Sequence, residues 1–342
     1  MIEVKDLVKL YDNHLAVDHL TFTVPKGQIL GFLGPNGAGK STTMNIITGY
    51  ISATSGSVTI NGHDIYEEPE EAKRSIGYLP EQPPVYMDMK VKEYLMFVAE
   101  LKQVPKKERT AQVEAALEKT KTMDVAGRLI KHLSKGYRQR VGIAQAIIGN
   151  PEVIILDEPT VGLDPMQIIE IRDLMKELAE EHTVILSSHI LSEISAVCDT
   201  VMIINKGKLV VSDTVENLPK HLNAQNNCRL LLKGTKEQAE KLFAGMEAVK
   251  EVSVEEEEEG MVRVVLTSDS SHDVREKVFF ACAGAGLPIY EMTNVTRNLE
   301  DIFLELTQGT EAYGKAVKEK SAGTEGSETI EEKEENNNAG SL

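Results

Sequence analysis

The sequence predicts an α/β fold: a mixed sheet interrupted by a helical insert, then a small α+β unit and a disordered tail. Three observations carry that expectation. The segment Gly34-Pro35-Asn36-Gly37-Ala38-Gly39-Lys40-Ser41 matches G-x-x-x-x-G-K-[ST], the phosphate-binding loop, and lies between an apolar run and a helical pattern. Strand and helix signatures alternate up to about residue 216. Beyond residue 227 the order becomes βαββαβ, the ferredoxin-like pattern.

Taken along the chain, Leu20, Phe22 and Val24 alternate as a half-buried strand does. Ile29 to Leu33 reads as a buried strand, and Thr42 to Thr48 as a helix with Met44, Ile46 and Ile47 inside. Between about 85 and 148 the pattern is helical. Val91, Tyr94, Leu95, Val98 and Leu101 share one face, Pro105 marks a break, and a second helix runs through Val113, Ala116 and Leu117. Val153 to Leu156 and Val184 to Leu186 are β-branched runs of buried-strand length. Val201 to Ile204 and Leu209 to Val211 flank Asn205-Lys206-Gly207-Lys208 as a hairpin.

Asn217 to Asn227 is polar, contains Pro219 and reads as a linker. The second unit, 228–307, starts with a strand at Arg229 to Leu232 and a helix at Lys236 to Phe243. A strand pair, Val249 to Val254 and Met261 to Leu266, encloses an acidic turn from Glu255 to Gly260. Val274 to Ala283 reads as a helix and Pro288 to Met292 as the last strand. Asn298 to Leu306 reads as a closing helix with Leu299, Ile302, Phe303 and Leu306 on one face. Residues 308–342 carry few apolar side chains, so burial cannot offset their ordering entropy and disorder is expected.

Composition narrows the function classes. The 342 residues suggest roughly two domains. The net charge of −17 argues against a broad basic nucleic-acid face. Cys198, Cys228 and Cys282 have no metal-site spacing and suit a reducing compartment. No run of 18 apolar residues occurs, so no membrane span is expected, nor is a secretory signal.

The loop residues have a physical reason to bind a nucleoside triphosphate. Glycines allow close backbone approach, and a strand-loop-helix order aims loop amides and a helix N-terminus at one point. Lys40 would bridge the β- and γ-phosphates and Ser41 would hold Mg²⁺. Downstream, Ile154-Ile155-Leu156-Asp157-Glu158 is an apolar strand ending in two carboxylates, a Walker B element. Asp157 would hold Mg²⁺, through water, and Glu158 would act as general base on the attacking water. Read alone, the pair could instead cap the turn before Pro159.

Leu133-Ser134-Lys135-Gly136-Tyr137 resembles the LSGGQ signature of ATP-binding cassette (ABC) ATPases. The run LSKGYRQRVGIAQAIIGNPEVIILDEPTVGLDP is similar to that family throughout, and the resemblance covers residues 1–216 almost completely. It implies an ABC cassette fold. It also implies that Ser134 and Gly136 meet a γ-phosphate in trans, where Ser134 alone would read as a helix N-cap. Val161-Gly162-Leu163-Asp164 resembles the family's D-loop, otherwise a glycine-containing turn. His189, after Ser187-Ser188, resembles the switch histidine, where a lone histidine would read as structural. Tyr11 falls where the family stacks an aromatic on adenine, where it would otherwise be a surface or core tyrosine. Two departures stand out. Lys135 and Tyr137 replace a glycine and a glutamine of the signature. At the Q-loop after Gly77-Tyr78-Leu79-Pro80, Glu81 stands where the family has glutamine, and Gln82 follows.

The family likeness implies an ATP- and Mg²⁺-dependent ATPase whose two half-sites meet between two cassettes. It further implies a separate transmembrane permease as partner and a location on the inner face of the cell membrane. Asn298 to Thr307 is similar to the ending of type-2 exporters of the gliding-motility and drug-export kind, which implies export. The other function class is a soluble ABC-type ATPase acting as a nucleotide-gated regulator.

Overall fold

Two sheets share the first 216 residues in a computed structural model that describes residues 1–218, 225–246, 249–257, 260–269 and 274–295. The chain opens with β1 (Ile2–Tyr11), β2 (His14–Val24) and β3 (Ile29–Leu33), then helix α1 (Lys40–Ile47). It continues through β4 (Ser55–Ile60), β5 (His63–Asp64), α2 (Pro69–Arg74) and β6 (Ile76–Leu79). Helices α3 (Val91–Leu101), α4 (Arg109–Lys119) and α5 (Lys135–Ile147) form the insert. Then come β7 (Val153–Asp157), α6 (Pro165–Ala179), β8 (Thr183–Ser188), α7 (Leu191–Ser195), β9 (Thr200–Asn205) and β10 (Lys208–Thr214). An antiparallel sheet runs β2-β1-β4-β5, and a six-stranded one runs β10-β9-β3-β8-β7-β6.

Within the second sheet all neighbours from β9 to β6 are parallel, and only the β9–β10 hairpin is antiparallel. Every residue of β3, β7 and β8 is buried, as parallel strands covered on both faces require. Alternation divides their side chains between two cores. Ile155 and Ile185 join Phe32, Met44 and Ile46 beneath the antiparallel sheet, whereas Ile154, Leu156 and Leu186 pack against the helical insert. The rings of Phe22 and Phe32, 5.8 Å apart, join the two sheets. The β9–β10 turn has positive φ at Lys206 (49°) and Gly207 (80°), the conformation that matches strand twist in tight hairpins.

In the insert, α3 buries Val91, Tyr94, Leu95 and Val98, but the expected fifth member, Leu101, is 64 % exposed. It sits at the margin of the apolar stripe where the helix ends. The next residue, Lys102, does the packing instead. Its ammonium donates to the carbonyls of Gln145 (3.0 Å), Ala146 (2.9 Å) and Ile148 (2.7 Å), satisfying the orphan C-terminal acceptors of α5. Burial lowers the Lys102 pKa to about 8.

The third sheet holds β11 (Gln225–Lys233), β12 (Val249–Glu257), β13 (Met261–Asp269) and β14 (Ile289–Val295) in the order β12-β13-β11-β14, all antiparallel. Helices α8 (Lys236–Phe243) and α9 (Arg275–Ala285) connect them in the expected βαββαβ sequence. Leu230, Leu232, Val264 and Leu266 alternate onto one face with Phe243, Val278 and Cys282. A capping box, Thr235 with Gln238, starts α8. The acidic turn is shorter than expected: Glu255 to Glu257 continue β12, because Glu257 ion-pairs across the hairpin with Arg263 at 2.5 Å. Residues 219–224 of the expected linker, the expected helix at 298–306 and the tail at 308–342 lie outside the described residues.

The packing of α5 on β6 leaves no room at Gly77, where a Cβ would lie 2.1 Å from the Ala146 carbonyl oxygen. Gly77→Ala is expected to destabilise the fold by about 1–3 kcal/mol, the range for overpacking. Urea unfolding checks this, and an unchanged midpoint would show that helix and strand do not press together there.

Candidate functional site

The phosphate-binding segment is shaped by two glycines. A Cβ at Gly34 would lie 2.5 Å from the Ile204 carbonyl oxygen, and one at Gly39 would lie 2.5 Å from that of Ala16. Gly39 is the N-cap of α1 with φ 105°, a conformation that disfavours side chains. Helix α1 begins at Lys40, two residues earlier than its apolar spacing predicts. Its first amides therefore border the loop, a favourable place for an anion. Gly34 and Ala38 are buried and act as loop framework, and Pro35 supports the turn by accepting from the Ala38 N–H at 3.1 Å.

Lys40 is buried, and its ammonium donates to the Gly34 carbonyl at 2.8 Å and lies 3.3 Å from Glu158 Oε1. Glu158 reaches it by a turn at the end of β7 with φ 50°, the left-handed region. The other carboxylate oxygen, Oε2, accepts from His189 Nδ1 at 2.8 Å. A carboxylate only accepts, so the Nδ1 proton stays on the imidazole. Lys40, Glu158 and His189 thus form one contact chain from the ends of β3, β7 and β8.

Strand register sets that convergence. Leu33 pairs with Ser188, and Ser187 pairs with Asp157. The Ser187 hydroxyl donates to Asp157 Oδ1 and accepts from the Glu158 N–H at 2.9 Å. One buried hydroxyl therefore orients both carboxylate residues. Sequence reading did not single out Ser187, although its place in Ser187-Ser188-His189 was visible.

A cleft of about 360 Å³ gathers Tyr11, Asn36, Gly37, Gly39, Lys40, Ser41, Thr42, Glu81, Glu158 and His189. Val161, from the segment that resembles the D-loop, also lines it, as do His14 and Ala16, which were not anticipated. Tyr11 is exposed, and the Lys9 ammonium lies 4.9 Å from its ring centroid. Asp157 and Gln82 instead border a neighbouring groove of about 750 Å³, which Ser41 and Glu81 share with the cleft. Tyr78 on that groove donates to Asn45 Oδ1 at 3.1 Å, and burial together with Asp157 raises its pKa.

Ser134, Gly136 and Asp164 do not line the cleft. Ser134 is the N-cap of α5 and accepts from the Tyr137 N–H at 3.3 Å. Asp164 is the N-cap of α6 and accepts from the Gln167 N–H at 2.9 Å. Gly136 admits Gln167, whose Oε1 would lie 2.5 Å from any Cβ there. Both signature departures have local partners. The Tyr137 hydroxyl donates to Asp124 at 2.9 Å, and the Lys135 side chain lies against Gly162, which has φ 69°.

The profile of a family described as "ABC transporter" matches residues 17–161. The bacitracin transport ATP-binding protein BcrA of Bacillus licheniformis is 36 % identical over 313 residues, 90 % of this chain and 98 % of that protein. The linearmycin resistance ATP-binding protein LnrL of Bacillus subtilis (strain 168) is 30 % identical over 91 % of this chain and 99 % of its own length. Among solved structures, an ATP-binding subunit of an ABC transporter aligns with TM-score 0.60 and 31 % identity, covering 65 % of this chain and 92 % of that one. The dimeric structure of MJ0796, a bacterial ABC transporter cassette, aligns with TM-score 0.58 and 25 % identity over 63 % of this chain and 99 % of that one.

Ser187→Ala would strip the Glu158 N–H and the Asp157 carboxylate of a shared buried partner. The expected loss is about 1–3 kcal/mol of stability, the cost of orphaned buried groups. Equilibrium unfolding in urea measures it, and a variant as stable as the parent would remove Ser187 from that role.

Proposed function

The chain belongs to the ABC transporter family of ATP-binding proteins, and from that premise we propose that it binds and hydrolyses ATP to power a separate transmembrane permease. The observation that carries this reading is the contact chain Lys40–Glu158–His189 at the mouth of the loop 34–41. The loop amides and the start of α1 take the phosphates, Lys40 neutralises charge on the γ-phosphate, and Tyr11 stacks on the adenine. Ser41 and Asp157 offer the hard oxygen donors that Mg²⁺ prefers, and Glu81, shared by cleft and groove, adds a third. The ion, when bound, supplies charge neutralisation at the phosphate oxygens.

Glu158 polarises the attacking water as general base. Its Oε1 faces Lys40 and its Oε2 accepts from His189 Nδ1, so both neighbours hold the carboxylate in place. Catalysis is otherwise positioning and charge stabilisation. Ser134, Gly136 and Asp164 lie outside this cleft, which favours a head-to-tail pair of cassettes, each supplying the signature side to the other's nucleotide. The dimeric cassette structure supports the presence of a second cassette.

The permease docks on the groove beside the cleft, near Pro83 to Val98, where Tyr50, Pro84 and Lys102 are lining residues. Among the described residues no helix is long and apolar enough to cross a membrane, which is consistent with attachment through a partner. Relatives named for bacitracin transport, lantibiotic transport and linearmycin resistance support an export role. In this reading residues 1–216 form the cassette, 228–307 an accessory domain and 308–342 a tail.

Glu158→Gln is expected to bind ATP but hydrolyse it about 10²–10⁴-fold more slowly, the usual contribution of a general base. The variant should also retain a polytopic membrane protein from detergent-solubilised membranes in ATP and release it in ADP. Rapid turnover would remove Glu158 from the base role. Recovery of soluble partners alone would favour the nucleotide-gated regulator.

A further inference from the structure

Glu193 is a buried carboxylate on α7 that the reaction described above does not use. It is 7 % exposed, and among the described residues no cation pairs with it. Its Oε2 accepts from the Thr160 hydroxyl at 2.5 Å and from the Ser188 hydroxyl at 3.0 Å. Thr160 and Ser188 are themselves buried. One oxygen thus holds hydroxyls from two separate segments. Burying a carboxyl group is costly, and packing alone would be served better by an apolar side chain.

Its two partners have particular places in the chain. Thr160 lies two residues after Glu158 and accepts through its carbonyl from the Leu163 N–H at 3.2 Å, so it anchors the turn that leads to Asp164. Ser188 directly precedes His189, and its oxygen also accepts from the Ile190 N–H at 3.0 Å. The ladder between β7 and β8 ends at the pair Asp157 and Ser187. Beyond that pair no backbone bond of the ladder holds the two chain segments together. The Glu193 carboxylate takes over there, from one segment to the other.

We propose that Glu193 is a positioning residue for ATP hydrolysis: it ties the Glu158–Asp164 turn to the His189 loop and so fixes the Glu158–His189 contact. The proposal rests on the ATPase reading above. It makes the D-loop and the switch histidine a single mechanical unit, so a partner that moves Asp164 also moves His189 relative to Glu158. Glu193 is not among the residues that line the cleft. Its loss should therefore lower turnover and leave nucleotide affinity intact.

The test compares kcat, KM and ATP affinity for the full chain and for Glu193→Leu, which removes both acceptor oxygens, Thr160→Val and Thr160→Ser. Loss of the link predicts a fall in kcat of about 10- to 100-fold for Glu193→Leu and Thr160→Val. The ATP dissociation constant should change less than about twofold, since binding contacts are untouched. Thr160→Ser keeps the hydroxyl and should restore near-parental turnover. The double variant Glu193→Leu/Thr160→Val should be no slower than the worse single one, because both remove the same link. Equal kcat for Thr160→Val and Thr160→Ser would overturn the proposal. So would a parallel loss of ATP affinity and thermal stability in every variant, which marks a merely structural role. A parent chain that does not hydrolyse ATP would instead overturn the ATPase reading itself. Should Glu193→Leu fail to fold, the Thr160 pair decides the matter alone.

Discussion

The register of three adjacent parallel strands is the constraint on which the site depends. Phe32, Ser187 and Asp157 lie at one level, and Leu33 and Ser188 one residue beyond, since Phe32 pairs with Ser187, Leu33 with Ser188 and Ser187 with Asp157. Ligand sites in open parallel sheets form outside such carboxyl ends. Here the loop after β3 supplies amides and Lys40, the turn after β7 supplies Glu158, and the loop after β8 supplies His189. A one-residue slip of any strand would turn its terminal side chain to the opposite face. The all-buried composition of β3, β7 and β8 makes such a slip costly, so core packing and site geometry are specified together.

Much of this was legible in the sequence, for identifiable reasons. Continuous apolar runs gave β3, β7 and β8, because a strand buried on both faces needs no alternation. The P-loop fixed the strand-loop-helix order, and the Asn205-Lys206-Gly207-Lys208 turn gave the β9–β10 hairpin. The βαββαβ order after residue 227 was equally readable, since short apolar runs of strand length alternate there with segments of helical spacing. β1 was not readable. Ile2 and Val4 alternate, but Asp6 takes φ 50° and the pairing shifts between Val4 and Leu7, so Leu7 and Val8 are both buried. That irregularity breaks the period-2 signal on which sequence reading depends. Gly56 is its counterpart on β4, where a Cβ would lie 2.3 Å from the Asp6 carbonyl oxygen.

Within the site, residues with a motif were visible and residues that support them were not. Lys40, Asp157, Glu158 and His189 stand in recognisable strings. Ser187 and Glu193 act through hydrogen bonds between segments about thirty residues apart, and no local pattern announces such a partner. The exposed Leu101 and the strand-bound Glu255–Glu257 run show the opposite error. In both cases a local pattern was right about composition and wrong about place, because Lys102 and Arg263 supply tertiary contacts that the pattern cannot contain.

The geometry separates two functions that the proposed reaction must reunite. One cleft holds the groups suited to phosphate, metal and water, while Ser134, Gly136 and Asp164 serve as helix caps and close packing elsewhere. The most direct test is an experimental structure of Glu158→Gln with ATP and Mg²⁺. The expected result is a pair of chains with each triphosphate in the loop 34–41 of one protomer and Ser134 of the partner subunit on the γ-phosphate. ATP seated in an isolated protomer with the signature side unused, or bound away from Lys40, would contradict it.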